Sequence, residues 1–428
     1  MAEALRGVNN GTIQRLIINI PPRYLKSFCV SVSFPAWILG KDPTQRIIVA
    51  SYSEKLALRH SLDCRLIVQS DWFRNIFQNC KLSADQNEKH RFSTTQNGYR
   101  FATSVGGTLT GYGGNILIVD DPHSPQQIMN AKYRQKVLDW YGNTFSSRLD
   151  NKKNGSIVIV MQRLHADDLT GHLLARDPAG WTHLSLPVCF EEDRIVSVGN
   201  FSRKVKGGEF LFPERESEEE MGKIKLDMGS YFFSAQYQQK PMASDNGMVK
   251  CEWFHEFTED HRFENIYLSF DTAIKNTLKN DPTVCTVWSE FENNYYLLDV
   301  FRKWLEYPEL RRESIRLVKK WKPLCVLVED KASGQALIQD LRRDLRGCNV
   351  IAIKVGVDKT TRFASVTPLF ESGRVFLKKN EGWLFDYRCE LLNFPAGVHD
   401  DQVDSTSQFL GWIDHKNSLA RGVRIVHL

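Results

Sequence analysis

The sequence lacks any apolar run long enough to cross a membrane as a helix. Such a helix needs about 18–20 consecutive apolar residues. The first 30 residues also lack the apolar core and the small-residue cleavage site of a secretory signal peptide. We therefore expect a soluble protein that stays in the cytoplasm and makes no use of a membrane.

Cysteine pairs at metal-binding spacing are also missing. The nine cysteines are scattered singly along the chain, and no two of them are separated by only two residues. A zinc ribbon needs such pairs, and a secreted disulfide framework needs a small chain with an even set of cysteines. Both classes are excluded, and we expect most of these side chains to be buried in a reducing compartment.

The chain has little excess charge of either sign. Its 428 residues carry 56 Lys and Arg against 51 Asp and Glu, a net charge of +5, and 42% of the residues are hydrophobic. This composition is typical of a folded globular protein and excludes extensive disorder. The length predicts two or three domains, whereas the charge neither requires nor excludes nucleic acid as a partner.

Short apolar runs alternate with helical patterns in the first half of the chain. The predicted strands cover residues 15–20, 46–51, 115–120 and 156–162. Strands that are apolar throughout and separated by helices are typical of a parallel sheet covered on both faces. The glycine-rich segment 103–114 between them predicts a loop or a hairpin.

The second half has a different order of elements. Three closely spaced strands are predicted at 267–274, 283–291 and 295–304, followed by alternating helices and strands and by a last helix from about residue 400. This order predicts a mixed sheet. We therefore expect two α/β domains, at residues 1–240 and 256–415, with a linker at 241–255 and a tail at 416–428.

A degenerate phosphate-binding loop follows the first predicted strand. Lys26 and Ser27 stand between a strand and a helix, where a lysine reaches terminal phosphates and a hydroxyl holds Mg²⁺. The two glycines of the GxxxxGK[ST] pattern are replaced by Ile20 and Leu25. Taken alone, the segment favours a proline-rich turn that contains Lys and Ser by coincidence over a phosphate-binding loop.

Two further strands end in polar residues that would complete a nucleotide site. Asp120 and Asp121 follow an apolar strand, as the acids that hold Mg²⁺ and polarise water do in nucleotide hydrolases. Gln162 ends the next strand and could sense a terminal phosphate. The alternative for the two aspartates is a turn before a proline. Together the three segments favour a nucleotide site over separate turns.

Acidic residues end the strands of the second half. Asp271 follows one strand and Glu329 another, while Asp400, Asp401 and Asp404 stand at the start of the last helix. Carboxylates gathered from three elements need compensating charge, which Mg²⁺ or Mn²⁺ supplies. Two such ions can activate water and stabilise the leaving oxygen of a phosphodiester. The order Asp, Glu, Asp therefore predicts a metal-dependent nuclease.

The motifs resemble, in order and over residues 15–412, those of the large terminase subunit of tailed bacteriophages. They are PPRYLKS, FPAWILG, VASYS, GGTLTGYG, LIVDDP, MQRLH, AQYQQKP, SFDTAIK, VEDKASG and FPAGVHDDQVDS. The resemblance implies an ASCE-type P-loop ATPase domain with a mainly parallel sheet, followed by an RNase H-like nuclease domain.

The resemblance also implies cofactors, partners and residue roles. ATP with Mg²⁺ or Mn²⁺ would be the cofactors, and the partners would be double-stranded DNA, the small terminase subunit, the portal protein of the procapsid and further copies in a ring. The implied nucleotide-binding residues are Arg23, Lys26, Ser27, Asp120 and Gln162, with Asp121 catalytic. The implied nuclease residues are Asp271, Glu329 and Asp401 as catalytic groups and metal ligands, with Asp400 and Asp404 as further metal ligands; Ser27 and Asp120 would hold the metal of the ATP site.

Two departures from the family pattern leave alternatives open. Leu25 replaces the glycine before the lysine, and the segment ahead of the first strand is short, so we expect an N-terminally shortened, prophage-encoded protein with a weak ATPase. One alternative is a degenerate terminase with an intact nuclease, whose ATPase half only binds DNA. Another is a transposase or integrase, which usually orders its acids Asp, Asp, Glu.

Overall fold

A computed structural model describes residues 1–241, 247–258, 263–272, 282–345, 347–397 and 399–420. Contacts divide the chain into two compact units. The first comprises Met1–Ile224 and Tyr231–Ala243, and the second comprises Lys225–Ser230 and Ser244–Leu428. No helix of the described residues is both long and apolar enough to span a membrane.

An eight-stranded sheet forms the centre of the first unit. Its strands are β1 (Arg15–Asn19), β2 (Arg46–Ser51), β3 (Leu82–Asn87), β4 (Arg91–Thr94), β5 (Tyr99–Ser104), β6 (Ile116–Asp120), β7 (Ser156–Met161) and β8 (Thr182–Ser185). The order is β3-β4-β5-β2-β6-β7-β1-β8. The neighbouring strands β5, β2, β6, β7, β1 and β8 are parallel to one another. Strand β4 pairs with β5, and β3 with β4, in antiparallel orientation.

Helices and a separate two-stranded hairpin also belong to the first unit. They are α1 (Ala2–Asn9), α2 (Phe34–Lys41), α3 (Glu54–Gln69), α4 (Asp71–Ile76), α5 (Ala131–Trp140), α6 (Leu169–Arg176) and α7 (Glu218–Gln236), with the hairpin strands β9 (Arg194–Val198) and β10 (Phe201–Val205). Residues 225–230 of α7 are grouped with the second unit. A π-helical segment, Phe28–Ser33, leads from the loop after β1 into α2.

The central strands are buried on both sides, as their apolar sequences require. Every residue of β6 and β7 is buried. Because successive side chains of a strand point to opposite faces, Ile118 packs in one hydrophobic cluster and Leu117 and Val119 pack in another. The predicted parallel sheet covered on both faces is therefore confirmed.

A mixed seven-stranded sheet forms the centre of the second unit. Its strands are β11 (His255–Phe257), β12 (Ile266–Asp271), β13 (Thr283–Phe291), β14 (Asn294–Lys303), β15 (Cys325–Glu329), β16 (Asn349–Ile353) and β17 (Val375–Lys378). The order is β11-β17-β14-β13-β12-β15-β16, with β13 antiparallel to both of its neighbours and the other pairs parallel. This arrangement confirms the predicted mixed sheet.

Among the described residues of the second unit, five α-helices lie between the later strands or after them. They are α8 (Tyr307–Trp321), α9 (Ala332–Asp344), α10 (Lys359–Glu371), α11 (Leu384–Asn393) and α12 (Asp401–Ala420). His255 already belongs to β11, inside the range predicted as a linker, and α12 runs into the range predicted as a tail. Regular structure therefore extends beyond both limits of the predicted nuclease domain. Residues 242–246 of that linker and 421–428 of that tail lie outside the described residues.

Candidate functional site

The loop after β1 contains two residues in left-handed backbone conformation. Arg23 has a φ angle of 66° and Leu25 has a φ angle of 57°. Leu25 stands where the phosphate-loop pattern has a glycine, the residue that adopts positive φ at no steric cost. The loop therefore keeps a backbone shape suited to glycine, although the side chain of Leu25 is present and exposed.

Lys26 joins the ends of two neighbouring parallel strands. Its Nζ lies 3.0 Å from Oδ2 of Asp121, which follows β6, and it donates to Oε1 of Gln162, which follows β7, at 3.4 Å. The backbone N–H of Gln162 donates to Oδ1 of Asp121 at 3.2 Å. Because β6 and β7 are parallel, their carboxyl ends meet at one edge of the sheet beside the loop after β1.

Asp120 is fully buried beneath this loop and accepts hydrogen bonds from two serines. Ser27 Oγ donates at 3.0 Å and Ser31 Oγ at 2.7 Å, while Nδ1 of His60 lies 3.4 Å from the same carboxylate. Burial first, and then the negative charge of Asp121, raise the pKa of Asp120 to about 7. A carboxylate and a hydroxyl in contact match the oxygen ligands that Mg²⁺ takes, so these residues fit that cation.

An open cavity of about 730 Å³ lies in front of these residues. Arg23, Lys26, Ser27, Asp121 and Gln162 all line it. The predicted nucleotide residues are thus gathered at one cavity, except Asp120, which lies buried beneath it and contacts Ser27.

Arg215 reaches the same loop from a distant part of the sequence. Its guanidinium donates to the carbonyl oxygen of Arg23 and lies 5.5 Å from the ring centre of Tyr24, and the side chain lines the cavity. Sequence analysis missed Arg215, Ser31 and His60. No motif marks Arg215, since only the fold brings it to the loop.

The acidic residues of the second unit meet at another sheet edge. Asp271 ends β12 and Glu329 ends β15, and these strands are parallel neighbours with Phe270 opposite Val328. The two carboxylates therefore leave the same edge of the sheet side by side. Glu329 is 5% exposed, whereas Asp271 is partly exposed.

Buried hydroxyl groups fix α12 against β12. Ser405 Oγ donates to the carbonyl oxygen of Ser269 at 2.7 Å, and Ser269 Oγ donates back to the carbonyl oxygen of Ser405 at 2.8 Å. Gln408 Nε2 donates to Ser269 Oγ at 2.9 Å. Asp401 and Asp404, in the first turn of α12, are 2% and 3% exposed. This ladder sets their position relative to Asp271.

Glu390 of α11 caps the start of α12. Its Oε1 accepts from the backbone N–H groups of Gln402 at 2.7 Å and Val403 at 3.4 Å, and its Oε2 accepts from the side chain of Gln402 at 2.6 Å. The first N–H groups of a helix have no acceptor within the helix, so a carboxylate there stabilises it. Glu390 thus holds the turn that carries the acids.

The acidic residues repel one another, and this repulsion contributes to the raised pKa values of two of them. The pKa of Asp271 lies well above its usual value, first because surrounding protein atoms desolvate its carboxyl group and then because of the charges of Asp404, Glu329 and Asp401. The pKa of Asp404 is also raised, first by burial, and Arg362 and Lys359 act against that rise. Like charges at close range disfavour ionisation, and a nearby cation restores it.

Three basic side chains lie among the acids. Lys359 Nζ lies 2.6 Å from Asp400 Oδ1 and 2.7 Å from Asp404 Oδ2. Arg362 lies 2.7 Å from Asp404 Oδ1 and 3.2 Å from Glu329 Oε1, and Lys331 lies 2.9 Å from that same oxygen of Glu329. Sequence analysis missed Lys359 and Arg362, which no spacing rule connects to the acids.

The acids also fit a divalent cation. All five offer carboxylate oxygens, the ligands that Mg²⁺ and Mn²⁺ prefer, and a cation would relieve the repulsion that raises the pKa of Asp271. Within the part of the chain that the structure describes, no three His, Cys, Asp or Glu side chains are already close enough to enclose an ion. In this arrangement, basic side chains bridge the carboxylates instead.

Comparisons with known proteins show similarity to one sequence family and to solved structures of the same fold. Residues 268–411 match the family described as the terminase RNaseH-like domain. A crystal structure of the large terminase from a thermophilic bacteriophage has a TM-score of 0.52 at 13% identity, covering 96% of this chain and 98% of that one. The structure of that terminase in complex with ADP gives 0.50 at the same identity and coverage. No match was found among curated proteins.

The family match contains all five acids of the acidic centre, and the structural match spans both units. The resemblance to large terminase subunits inferred from the motifs is confirmed, as is the predicted P-loop ATPase fold followed by an RNase H-like fold. Residues 268–411 are therefore similar to terminase RNase H-like domains, and the chain as a whole has the fold of a phage large terminase subunit.

Proposed function

We propose that this protein is a DNA-packaging enzyme that drives viral double-stranded DNA into a procapsid with ATP and cuts concatemeric DNA in a metal-dependent step. The observation that carries the proposal is the acidic centre, in which Asp271, Glu329, Asp401 and Asp404 act electrostatically as one group. A buried cluster of acids is costly to keep, so it favours a role in holding cations over a structural one.

In the nuclease site, Asp271, Glu329 and Asp401 are the proposed catalytic groups. With Asp400 and Asp404 they would hold Mg²⁺ or Mn²⁺, and such ions supply Lewis-acid stabilisation of charge at a phosphodiester. The chain itself contributes the fixed positions. The ends of β12 and β15 set two carboxylates side by side, and the hydroxyl ladder and Glu390 hold the third. Since this chemistry needs phosphates rather than base edges, we expect weak sequence selectivity.

The test is cleavage of plasmid DNA by the full-length protein in Mg²⁺ or Mn²⁺. Asp271→Ala should abolish cleavage, because it removes a carboxylate shared by the proposed ligand set, while circular dichroism and the unfolding midpoint show that the fold is kept. Asp299→Ala, which changes an acid of β14 paired with Lys320, serves as the matched control and should cut normally. Cleavage that persists in EDTA or in Asp271→Ala would refute the nuclease assignment.

In the first unit we propose an ATP site in the cavity beside Lys26. Lys26 would neutralise phosphate charge, Ser27 and Asp120 would hold Mg²⁺, Asp121 would align water, and Gln162 would sense the terminal phosphate. Arg23 lines the same cavity and would contact the phosphates. The contacts of Lys26 with Asp121 and Gln162 support these roles, as does the ADP complex of the phage terminase with the same fold.

The remaining assignments follow from the proposed packaging role. We propose residues 1–240 as the ATPase domain, 241–255 as a linker, 256–415 as the nuclease domain and 416–428 as a tail. The partners would be double-stranded DNA, the small terminase subunit, the portal protein and other copies in a ring. The site of action would be the cytoplasm of a bacterial host.

A second candidate function is a degenerate prophage terminase that keeps the nuclease and loses the motor. The observation that favours it is the positive φ angle of Leu25 in the phosphate loop. A nucleotide titration distinguishes the two candidates, because a motor must bind ATP and a scaffold need not.

A further inference from the structure

Two basic residues at the start of α10 each bridge a pair of acids. Lys359 contacts Asp400 and Asp404, which lie at the start of α12. Arg362 contacts Asp404 and also Glu329, which ends β15. These bases therefore contact the same carboxylates that would hold a divalent cation.

Asp404 has both carboxylate oxygens engaged by these bases. Its Oδ1 lies 2.7 Å from Nη2 of Arg362, and its Oδ2 lies 2.7 Å from Nζ of Lys359. Any metal ion that Asp404 ligates would therefore bind an oxygen that already contacts a base. At Glu329, both basic contacts fall on Oε1, which Arg362 and Lys331 share.

The position of the two bases in α10 shows that the acids stabilise them. Asp358 caps this helix by accepting from the backbone N–H of Thr361 at 3.1 Å, so Lys359 and Arg362 lie in or next to its first turn. The first turn of a helix carries partial positive charge and disfavours basic side chains. The carboxylates across from them compensate for this cost, and the two groups depend on each other.

We propose that Lys359 and Arg362 are internal counter-charges of the nuclease centre, which neutralise the acids before metal binds and compete with metal for Asp404 and Glu329. This inference rests on the proposed nuclease function and extends it to the control of metal affinity. The bases keep the acids in position when no ion is bound, and they lower the affinity of the centre for metal. Cleavage therefore starts only when enough divalent cation is present to displace the bases.

The experiment is a calorimetric titration of the full-length protein with Mn²⁺, without nucleotide. The part of the binding that Asp271→Ala abolishes defines the nuclease centre. Lys359→Met should tighten that part roughly tenfold, because it removes a competing unit charge in contact with two ligands. Lys359→Arg keeps the charge and should bind as the wild type does. Lys320→Met, which breaks an ion pair of α8 with Asp299, is the matched control and should change nothing.

Thermal unfolding provides a second measurement that needs no activity. In EDTA, Lys359→Met should unfold at a lower temperature than the wild type, because Asp400 and Asp404 lose a counter-charge. In saturating Mn²⁺ the difference should disappear, since the ion replaces that charge. Should Lys359→Met not fold, Lys359→Gln takes its place in both measurements.

The possible outcomes distinguish failure of this inference from failure of the proposed nuclease function. Equal Mn²⁺ affinity in Lys359→Met and the wild type, or an equal loss of unfolding temperature with and without Mn²⁺, would overturn the inference and show a purely structural ion pair. If the wild type and Asp271→Ala bind Mn²⁺ identically, the metal site itself is wrong, and the proposed function fails with it.

Discussion

At the scale of single residues, Leu25 is where the phosphate loop departs most from its pattern. Its φ angle of 57° costs a non-glycine residue about 1–2 kcal/mol, because Cβ approaches the following carbonyl oxygen. The side chain also lines the cavity in front of Lys26. The side-chain bulk can therefore weaken nucleotide binding, whereas the backbone strain, which the loop has without nucleotide, lowers the stability of the fold.

Substitution at Leu25 distinguishes these effects. Leu25→Gly should raise ATP affinity roughly fivefold to tenfold, since it lets the backbone approach phosphate. It should also stabilise the fold, because it relieves the strain at positive φ. Leu25→Ala removes most of the bulk and retains the strain, so it should recover part of the gain in affinity without stabilising the fold. The measurements are a nucleotide titration and thermal unfolding of the three proteins. Tight binding by the wild type, unchanged in Leu25→Gly, would show that the loop accepts leucine without loss.

At this scale the sequence indicated which residues the site contains but not their backbone conformation. The missing glycine at Leu25 is visible in the motif, whereas the positive φ angle is visible only in the fold. The contacts of Lys26 with Asp121 and Gln162 could be expected because all three follow strands of one parallel sheet. Arg215 could not be expected, since long-range packing alone brings it to the loop.

At the scale of elements, the attachment of α12 determines where two of the acids lie. Glu390 satisfies N–H groups at the start of this helix, next to Asp401 and Asp404. Without that acceptor the first turn would fray, because buried N–H groups left without hydrogen bonds are costly. A substitution of Glu390 in α11 should therefore affect the nuclease centre although it replaces none of the acids of that centre.

We expect Glu390→Ala to lower the free energy of unfolding of the second unit by about 1–3 kcal/mol. Hydrogen exchange at residues 401–406 should become faster, and cleavage should fall. Glu313→Ala, which removes an exposed ion pair of α8 with Arg316, is the matched control and should leave both unchanged. Unaltered exchange at 401–406 in Glu390→Ala would mean that the hydroxyl ladder alone fixes the helix.

A buried histidine connects α6 to the strand end that carries Asp121. Nε2 of His123 accepts from the backbone N–H of Leu169, the first residue of α6, at 2.9 Å. Protonation would remove this acceptor. Burial lowers the pKa of His123 to about 4, so the unfolded chain takes up the proton first, near pH 6.5. The histidine therefore stabilises the fold above about pH 6.5, and that contribution is lost as the pH falls towards 4.

Urea unfolding between pH 4.5 and 7.5 tests this dependence, with hydrogen exchange in β6 and β7 as the local probe. The wild type should lose stability as the pH falls. In His123→Gln the slope should be smaller by up to about 1.4 kcal/mol per pH unit, the value for one proton. Identical slopes in the wild type and His123→Gln would contradict the assignment.

Elements could be predicted where burial dominates the sequence. The strands β1, β2, β6 and β7 are almost wholly apolar and were located to within one residue. The strands β3, β4 and β5, at one side of the sheet, were missed, because they are short and rich in polar residues, as in LSADQN and RFST. Asp271 and Glu329 could be paired from their strand ends, whereas Lys359 and Arg362 follow no pattern that points to the acids.

At the scale of the whole molecule, the two proposed sites belong to different units. Each unit has its own sheet, and each site lies at the carboxyl ends of parallel strands of that sheet. The residues of the proposed ATP site all fall before residue 225, and the acids all follow residue 270. The chemistry of each site therefore draws on side chains of its own unit.

This separation predicts that each activity can be lost alone in the full-length protein. Lys26→Ala removes the charge that would neutralise phosphate, so ATP binding should fall by at least roughly tenfold while cleavage of DNA in Mn²⁺ persists. Asp271→Ala should abolish cleavage and leave ATP affinity unchanged. The measurements are a nucleotide titration and a plasmid cleavage assay on the same preparations. If Lys26→Ala also stopped cleavage while the fold stayed intact, the nuclease would depend on the nucleotide site, and two independent sites would be the wrong description of this chain.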